Sequence, residues 1–131
     1  DYLPITHFDM TRFLLTLEQA TDLIHWAYGY DDSHGKIAVP KVKSLKVTDI
    51  ANALIASYEL DVKLREIGIR PGEKLHEEMV SSEEWMRTEE LDTFFLIGNE
   101  NINAEQHSYN SFDYLMGSSQ AYQFLKDSKV I

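Results

Sequence analysis

Arg70-Pro71-Gly72-Glu73, with Lys74-Leu75-His76-Glu77 directly behind it, is the run whose residue types and spacing can do chemistry. An arginine guanidinium is a planar fork of donors that matches phosphate oxygens. Gly72 lets a ligand approach the backbone closely. The Glu73 carboxylate can accept hydrogen bonds from a vicinal diol such as that of a ribose. Pro71 stands where the first residue of a helix tolerates a missing N–H, so the spacing predicts a helix opening here. Free N–H groups and the positive end of the helix dipole would then favour an anion. The same four residues also suit a plain turn with an exposed ion pair, and spacing alone leaves both readings open.

A second arginine lies in Met10-Thr11-Arg12-Phe13, among apolar neighbours that ought to be buried. A buried guanidinium needs a partner, either an internal carboxylate or a ligand phosphate. His7 and Asp9, two residues apart, could touch a metal but are read as a polar turn. In His76-Glu77-Glu78 the position that a zinc-binding H-E-x-x-H would give to a second histidine is Val80, so no metal ligand set is expected.

The elements that must position these side chains follow from periodicity. Thr16-Leu17-Glu18-Gln19 reads as a capping box opening a helix over 17–29, with Ala20, Leu23, Ile24 and Ala27 facing inward. Lys36-Ile37-Ala38-Val39, closed by Pro40, reads as a short strand. Val47, Ile50, Ala51, Leu54, Ile55 and Tyr58 recur at helical spacing, and a sheet should lie against that face. Residues 62–67 read as a strand running into the Arg70 segment, where Leu75 and Met79 give the predicted helix a short buried face. Ser81-Ser82-Glu83-Glu84 caps another short helix, and Phe94–Ile97 suggests a last strand. Residues 98–111 are polar and loop-like, and a terminal helix starting at Ser118 or Ser119 carries Ala121, Tyr122 and Leu125. Trp26, Trp85, Phe94 and Phe95 are expected in a core or a domain interface.

With 131 residues the chain fits one α/β domain with one core. The formal charge of −10 argues against a general nucleic-acid or anionic-membrane surface, and acidic residues concentrate between Glu73 and Asp92. Lys36, Lys41, Lys43 and Lys46 form the one basic cluster. The start at Asp1-Tyr2-Leu3-Pro4 looks internal, with no export signal and no apolar run of spanning length. Zero cysteines exclude a disulfide framework and are compatible with the cytoplasm, the expected location.

Leu3-Pro4-Ile5-Thr6 with Met10–Phe13, then Val39-Pro40-Lys41 with Lys46–Ala51, then Ile67 to Met79, taken in order and spacing, resemble the inverting UDP-N-acetylglucosamine 4,6-dehydratases. These belong to the extended short-chain dehydrogenase/reductase superfamily and act in capsule, O-antigen and flagellin-glycan biosynthesis. The likeness is dense from residue 3 to about 97 and thins beyond to Tyr109-Asn110-Ser111 and the last helix. It implies that residues 1–131 form the C-terminal, substrate-binding α/β part of such an enzyme, a few short strands with three to five helices. It further implies that Arg12 meets the substrate pyrophosphate, Arg70 a phosphate, and Glu73 the uridine ribose hydroxyls.

The resemblance also implies partners: a UDP-sugar, an N-terminal Rossmann domain that binds NADP(H), and further copies in a homo-oligomer. The family's chemistry takes a hydride from sugar C4, eliminates water across C5 and C6, returns the hydride to C6 and, in inverting members, epimerises C5. This chain departs by lacking that first half. Glycines 29, 35, 68, 72, 98 and 117 form no G-x-G-x-x-G loop. Tyr122 and Lys126 imitate the superfamily's Tyr-x-x-x-Lys catalytic pair but stand at the wrong end of the chain and are read as a coincidence. No catalytic residue is therefore expected here. A free-standing sugar-nucleotide-binding or interaction module, or part of a UDP-sugar epimerase, are the alternatives.

Overall fold

Short apolar runs broken by charge and proline cannot build long strands, and none of the nine exceeds four residues. The computed structural model describes residues 1–131. In chain order the elements are β1 (Tyr2–Ile5), β2 (Thr11–Leu14), α1 (Leu17–Gly29), a 3-10 turn (Asp31–Ser33), β3 (Ile37–Pro40), β4 (Lys43–Lys46) and α2 (Val47–Ser57). There follow β5 (Lys63–Glu66), β6 (Glu78–Val80), α3 (Ser82–Trp85), β7 (Thr88–Glu90), β8 (Phe94–Ile97), β9 (Tyr109–Asn110) and α4 (Ser118–Asp127). This is the expected small α/β architecture, with four α-helices. The chain divides into two compact units. One holds residues 1–14, 43–77 and 111–131, and the other holds residues 15–42 and 78–110.

In the first unit β1 and β5 pair in parallel, Tyr2 opposite Lys63 through Ile5 opposite Glu66. β2 and β4 pair antiparallel, with Arg12 opposite Leu45. Leu45, Ala53, Ala121 and Leu125 form the core, with Leu14, Ile50, Met116 and Phe124 packed around it. The face of α2 expected to meet a sheet touches β4 and β1 but packs chiefly on α4. Small side chains at Ala53 and Ala121 permit that approach. The axis of the buried face is accordingly rotated, and Tyr58, expected inside, is exposed.

In the second unit β8 lies between β3 and β7, all antiparallel. Phe95, Leu96 and Ile97 are all buried, as a strand covered on both faces requires. The helix α1 opens with the expected box: Gln19 N–H donates to Thr16 Oγ1 at 3.1 Å and Thr16 N–H to the Gln19 side chain at 2.9 Å. Ala20, Leu23 and Ala27 are half-buried, but Ile24 faces outward, 66% exposed. Trp26 stacks between Phe94 at 4.2 Å and Tyr30 at 4.8 Å, and Phe95 meets both Trp85 and Tyr109.

Candidate functional site

The Arg70 run is not a helix. After β5 the chain makes a turn in which Glu73 N–H donates to the Arg70 carbonyl at 3.0 Å, and Gly72 takes φ +87°. Proline at the second position and a positive φ at the third make a type II turn, a geometry that no helix N-terminus shares. The helix-dipole anion site expected from Pro71 is therefore corrected to a turn, and Met79 enters β6. The Glu73 carboxylate closes the turn by accepting the Arg70 backbone N–H at 3.1 Å through Oε2. Its other oxygen and the whole Arg70 guanidinium remain outside that bond. Arg70 is exposed, and its side chain has no hydrogen-bond or ion-pair partner in the chain.

Arg12 stands in the antiparallel pair β2–β4, and its side chain reaches the same loop. Nη1 donates to the Thr11 carbonyl at 2.7 Å and to the Leu75 carbonyl at 3.3 Å, and Nη2 donates to the Lys74 carbonyl at 3.0 Å. Nε lies 3.6 Å from Glu77 Oε1, and the side chain is 25% exposed. The internal carboxylate anticipated for a half-buried arginine is thus present, and it lies inside the Arg70–Glu77 run. Thr11 N–H donates to the Leu75 carbonyl at 3.0 Å, so the loop lies along the edge of β2.

Geometry brings the three sequence-chosen residues onto one short path. Glu73 is one residue from Lys74, whose carbonyl holds Arg12, and consecutive Cα atoms lie about 3.8 Å apart. Arg70 is joined to Glu73 by a turn that keeps their Cα atoms within about 7 Å. The exposed Arg70 guanidinium and a Glu73 carboxylate with a spare oxygen therefore share one turn, next to the loop residues that hold Arg12. Sequence reasoning missed the support beneath them. Thr11, Ser44 and Ser111 are wholly buried hydroxyl residues, and Glu77 N–H donates to Ser111 Oγ at 2.8 Å. Buried hydroxyls at Thr11 and Ser44, each beside apolar strand residues, were the available signal.

Other candidates resolve locally. His7 Nδ1 accepts the Asp9 N–H at 3.1 Å, and Asp9 pairs with Lys46 at 3.5 Å, so both belong to a turn. Lys36 pairs with Glu89 and Lys41 with Glu90, so with the Lys46–Asp9 pair three of the four lysines of the basic cluster face a carboxylate. Tyr122 and Lys126 are exposed on α4. The close strand-to-helix junctions, Leu14 to Leu17, Lys46 to Val47 and Val80 to Ser82, contain no glycine, so none offers the backbone cradle of a dinucleotide. These residues do not fit NADP, and no redox step is assigned to them. No helix is long and apolar enough to cross a membrane.

Residues 1–99 match the family model described as polysaccharide biosynthesis protein. An inverting UDP-N-acetylglucosamine 4,6-dehydratase of Campylobacter jejuni is 40% identical over 96 residues, 72% of this chain and 27% of that protein. A UDP-glucose 4-epimerase of Rickettsia bellii is 39% identical over 95 residues, 72% of this chain and 28% of that protein. The crystal structure of Pen from Bacillus thuringiensis superimposes with a TM-score of 0.83 at 25% identity, covering 99% of this chain and 42% of that one. The chain thus spans about a quarter of the length of the curated relatives it matches. With the family match running through β1, Arg12 and the Arg70–Glu77 loop, this chain belongs to the polysaccharide biosynthesis protein family, among nucleotide-sugar dehydratases and epimerases.

Proposed function

We propose that this chain is the sugar-nucleotide-binding part of a cytoplasmic, NADP-dependent UDP-N-acetylglucosamine 4,6-dehydratase serving surface-glycan synthesis. Arg12 and Arg70 bind the diphosphate and Glu73 the ribose hydroxyls. The observation that carries the reading is the exposed, unpartnered Arg70 guanidinium on the loop whose carbonyls clasp Arg12. The family match and the dehydratase relatives support the substrate class. Catalysis and NADP belong to a Rossmann domain outside these residues, so the 131-residue chain alone is expected to be inactive.

Calorimetric titration of the whole protein with UDP and with uridine tests the reading. A charge-assisted hydrogen bond is worth roughly 1.5–3 kcal/mol, so Arg70→Ala should weaken UDP binding about 10- to 150-fold and leave uridine unchanged. Binding of UDP by a folded Arg70→Ala protein within twofold of wild type would refute the phosphate role. A second reading, a UDP-sugar 4-epimerase, is favoured by the 39% identity to the Rickettsia protein. Product analysis separates the two, since only a dehydratase releases water from the sugar.

A further inference from the structure

Arg12 is held at opposite ends of its guanidinium, and one buried residue touches both holds. Nη1 donates to the Thr11 carbonyl at 2.7 Å, and Nε faces Glu77 Oε1 at 3.6 Å. Three of the N–H groups are engaged by the carbonyls of Thr11, Lys74 and Leu75, so the Nη2 N–H that does not reach Lys74 is the donor left for a ligand. One remaining N–H meets a phosphate oxygen along a single direction, and the plane of the guanidinium therefore has to be fixed.

Ser111 joins the two holds. Its backbone N–H donates to the Glu77 carbonyl at 2.8 Å and its Oγ accepts the Glu77 N–H at 2.8 Å, which clasps Glu77 through both of its main-chain groups. The same Oγ lies 2.6 Å from Thr11 Oγ1 and 3.3 Å from the Thr11 carbonyl, the oxygen that also accepts from Arg12 Nη1. Whichever hydroxyl donates in the short contact, Ser111 stays bonded to Thr11. The Ser111 carbonyl in turn accepts the Ser44 hydroxyl from β4. Thr11, Ser44 and Ser111 are wholly buried, which keeps water from replacing these bonds. Ser111 makes no hydrogen bond to Arg12 itself, and it lies beyond residues 1–99 that the family model matches.

We infer that Ser111 is a positioning residue for Arg12, fixing through Thr11 and Glu77 the plane in which the guanidinium meets an anionic oxygen of the diphosphate. This rests on the proposed reading of Arg12 as a diphosphate contact. Ser111→Ala removes the acceptor of the Glu77 N–H, Ser111→Cys keeps a weak one, and Arg12→Met keeps an apolar stem but loses the fork. In the whole protein, titrated by calorimetry with UDP and with uridine, Ser111→Ala should weaken UDP about fivefold and Ser111→Cys about threefold, with uridine unchanged. A role confined to folding would act without regard to the guanidinium, whereas a role through Arg12 disappears with it. Placed on Arg12→Met, Ser111→Ala should therefore change UDP affinity less than about twofold. A folded Ser111→Ala protein that binds UDP within twofold of wild type overturns this inference alone, as does an equal loss with and without the arginine. Where Ser111→Ala does not fold, Ser111→Cys is judged by the same two criteria. A wild type that ignores UDP, or an Arg12→Met protein that binds it as wild type does, overturns the reading of Arg12 as well.

Discussion

The Glu77 carboxylate accepts the Phe13 backbone N–H at 2.9 Å through Oε2, while its other oxygen faces Arg12. One side chain thus binds the signature loop to β2 and balances the guanidinium that the loop's carbonyls hold. Glu77→Gln keeps an acceptor for the Phe13 N–H, whereas Glu77→Ala removes it. Urea denaturation should show Glu77→Ala losing roughly 1–3 kcal/mol and Glu77→Gln less than half as much. With a negative charge removed beside Arg12, Glu77→Gln should also bind UDP more tightly than wild type, and calorimetry reads the sign directly.

Gly72 adopts φ +87°, and a Cβ there would meet nothing within 4 Å. Cost of substitution is therefore conformational and not steric. Gly72→Ala should destabilise by about 1–2 kcal/mol and Gly72→Asn by less, since asparagine tolerates the left-handed region. Thermal melts of the two variants make the comparison. Equal losses would mean that something other than backbone conformation selects glycine.

Leu125 is fully buried against α2 in the first unit. Truncating it opens a cavity that the alanines facing it are too short to fill. Leu125→Ala should cost about 2–5 kcal/mol in a denaturant titration, against near zero for Lys126→Ala one residue on.

Glu84 closes the box that opens α3, and its pKa is lowered below the ordinary 4.5 chiefly by the Ser81 backbone N–H, then by the Ser81 hydroxyl, with Arg87 helping and burial opposing. A carboxylate whose folded pKa is depressed stabilises above its unfolded pKa, and that contribution is lost as pH falls through the folded one. Ser81→Ala should cost about 1 kcal/mol at pH 7 and progressively less as pH falls through the wild-type Glu84 pKa, because the hydroxyl's bond to the carboxylate loses its charge. Urea midpoints measured from pH 7 downwards test this.

Much of the scaffold was legible because it depends on local signals. Thr16 and Gln19 announce α1, Pro40 closes β3, Ser81 and Glu84 open α3, and Ala121 and Leu125 mark the inner face of α4. What failed depended on partners distant in sequence. Pro71 is as good a turn residue as a helix starter, and only the bonds from Thr11 and Arg12 to Leu75 and Lys74, some 60 residues away, show that the carbonyls there are already engaged. Tyr58 looked buried because α2 was read alone, whereas α4 meets it at Ala53. Arg70 and Glu73 could be chosen by chemistry, but the hydrogen bonds that join Thr11, Ser111 and His76 exist only once residues 11, 76 and 111 are in contact.

Tyr109 closes the second unit in a manner that constrains what can ever replace it. Its buried hydroxyl accepts the Val42 N–H and donates to the Val42 carbonyl, both at 2.9 Å, doing for one residue what a neighbouring strand does for many. Phenylalanine would fill the same volume yet strand two main-chain groups of Val42 in a dry interior, a penalty levied twice for the loss of a single oxygen. The usual aromatic exchange is thereby shut off. Drift at this position must either keep the phenol or reshape the two-residue link between β3 and β4.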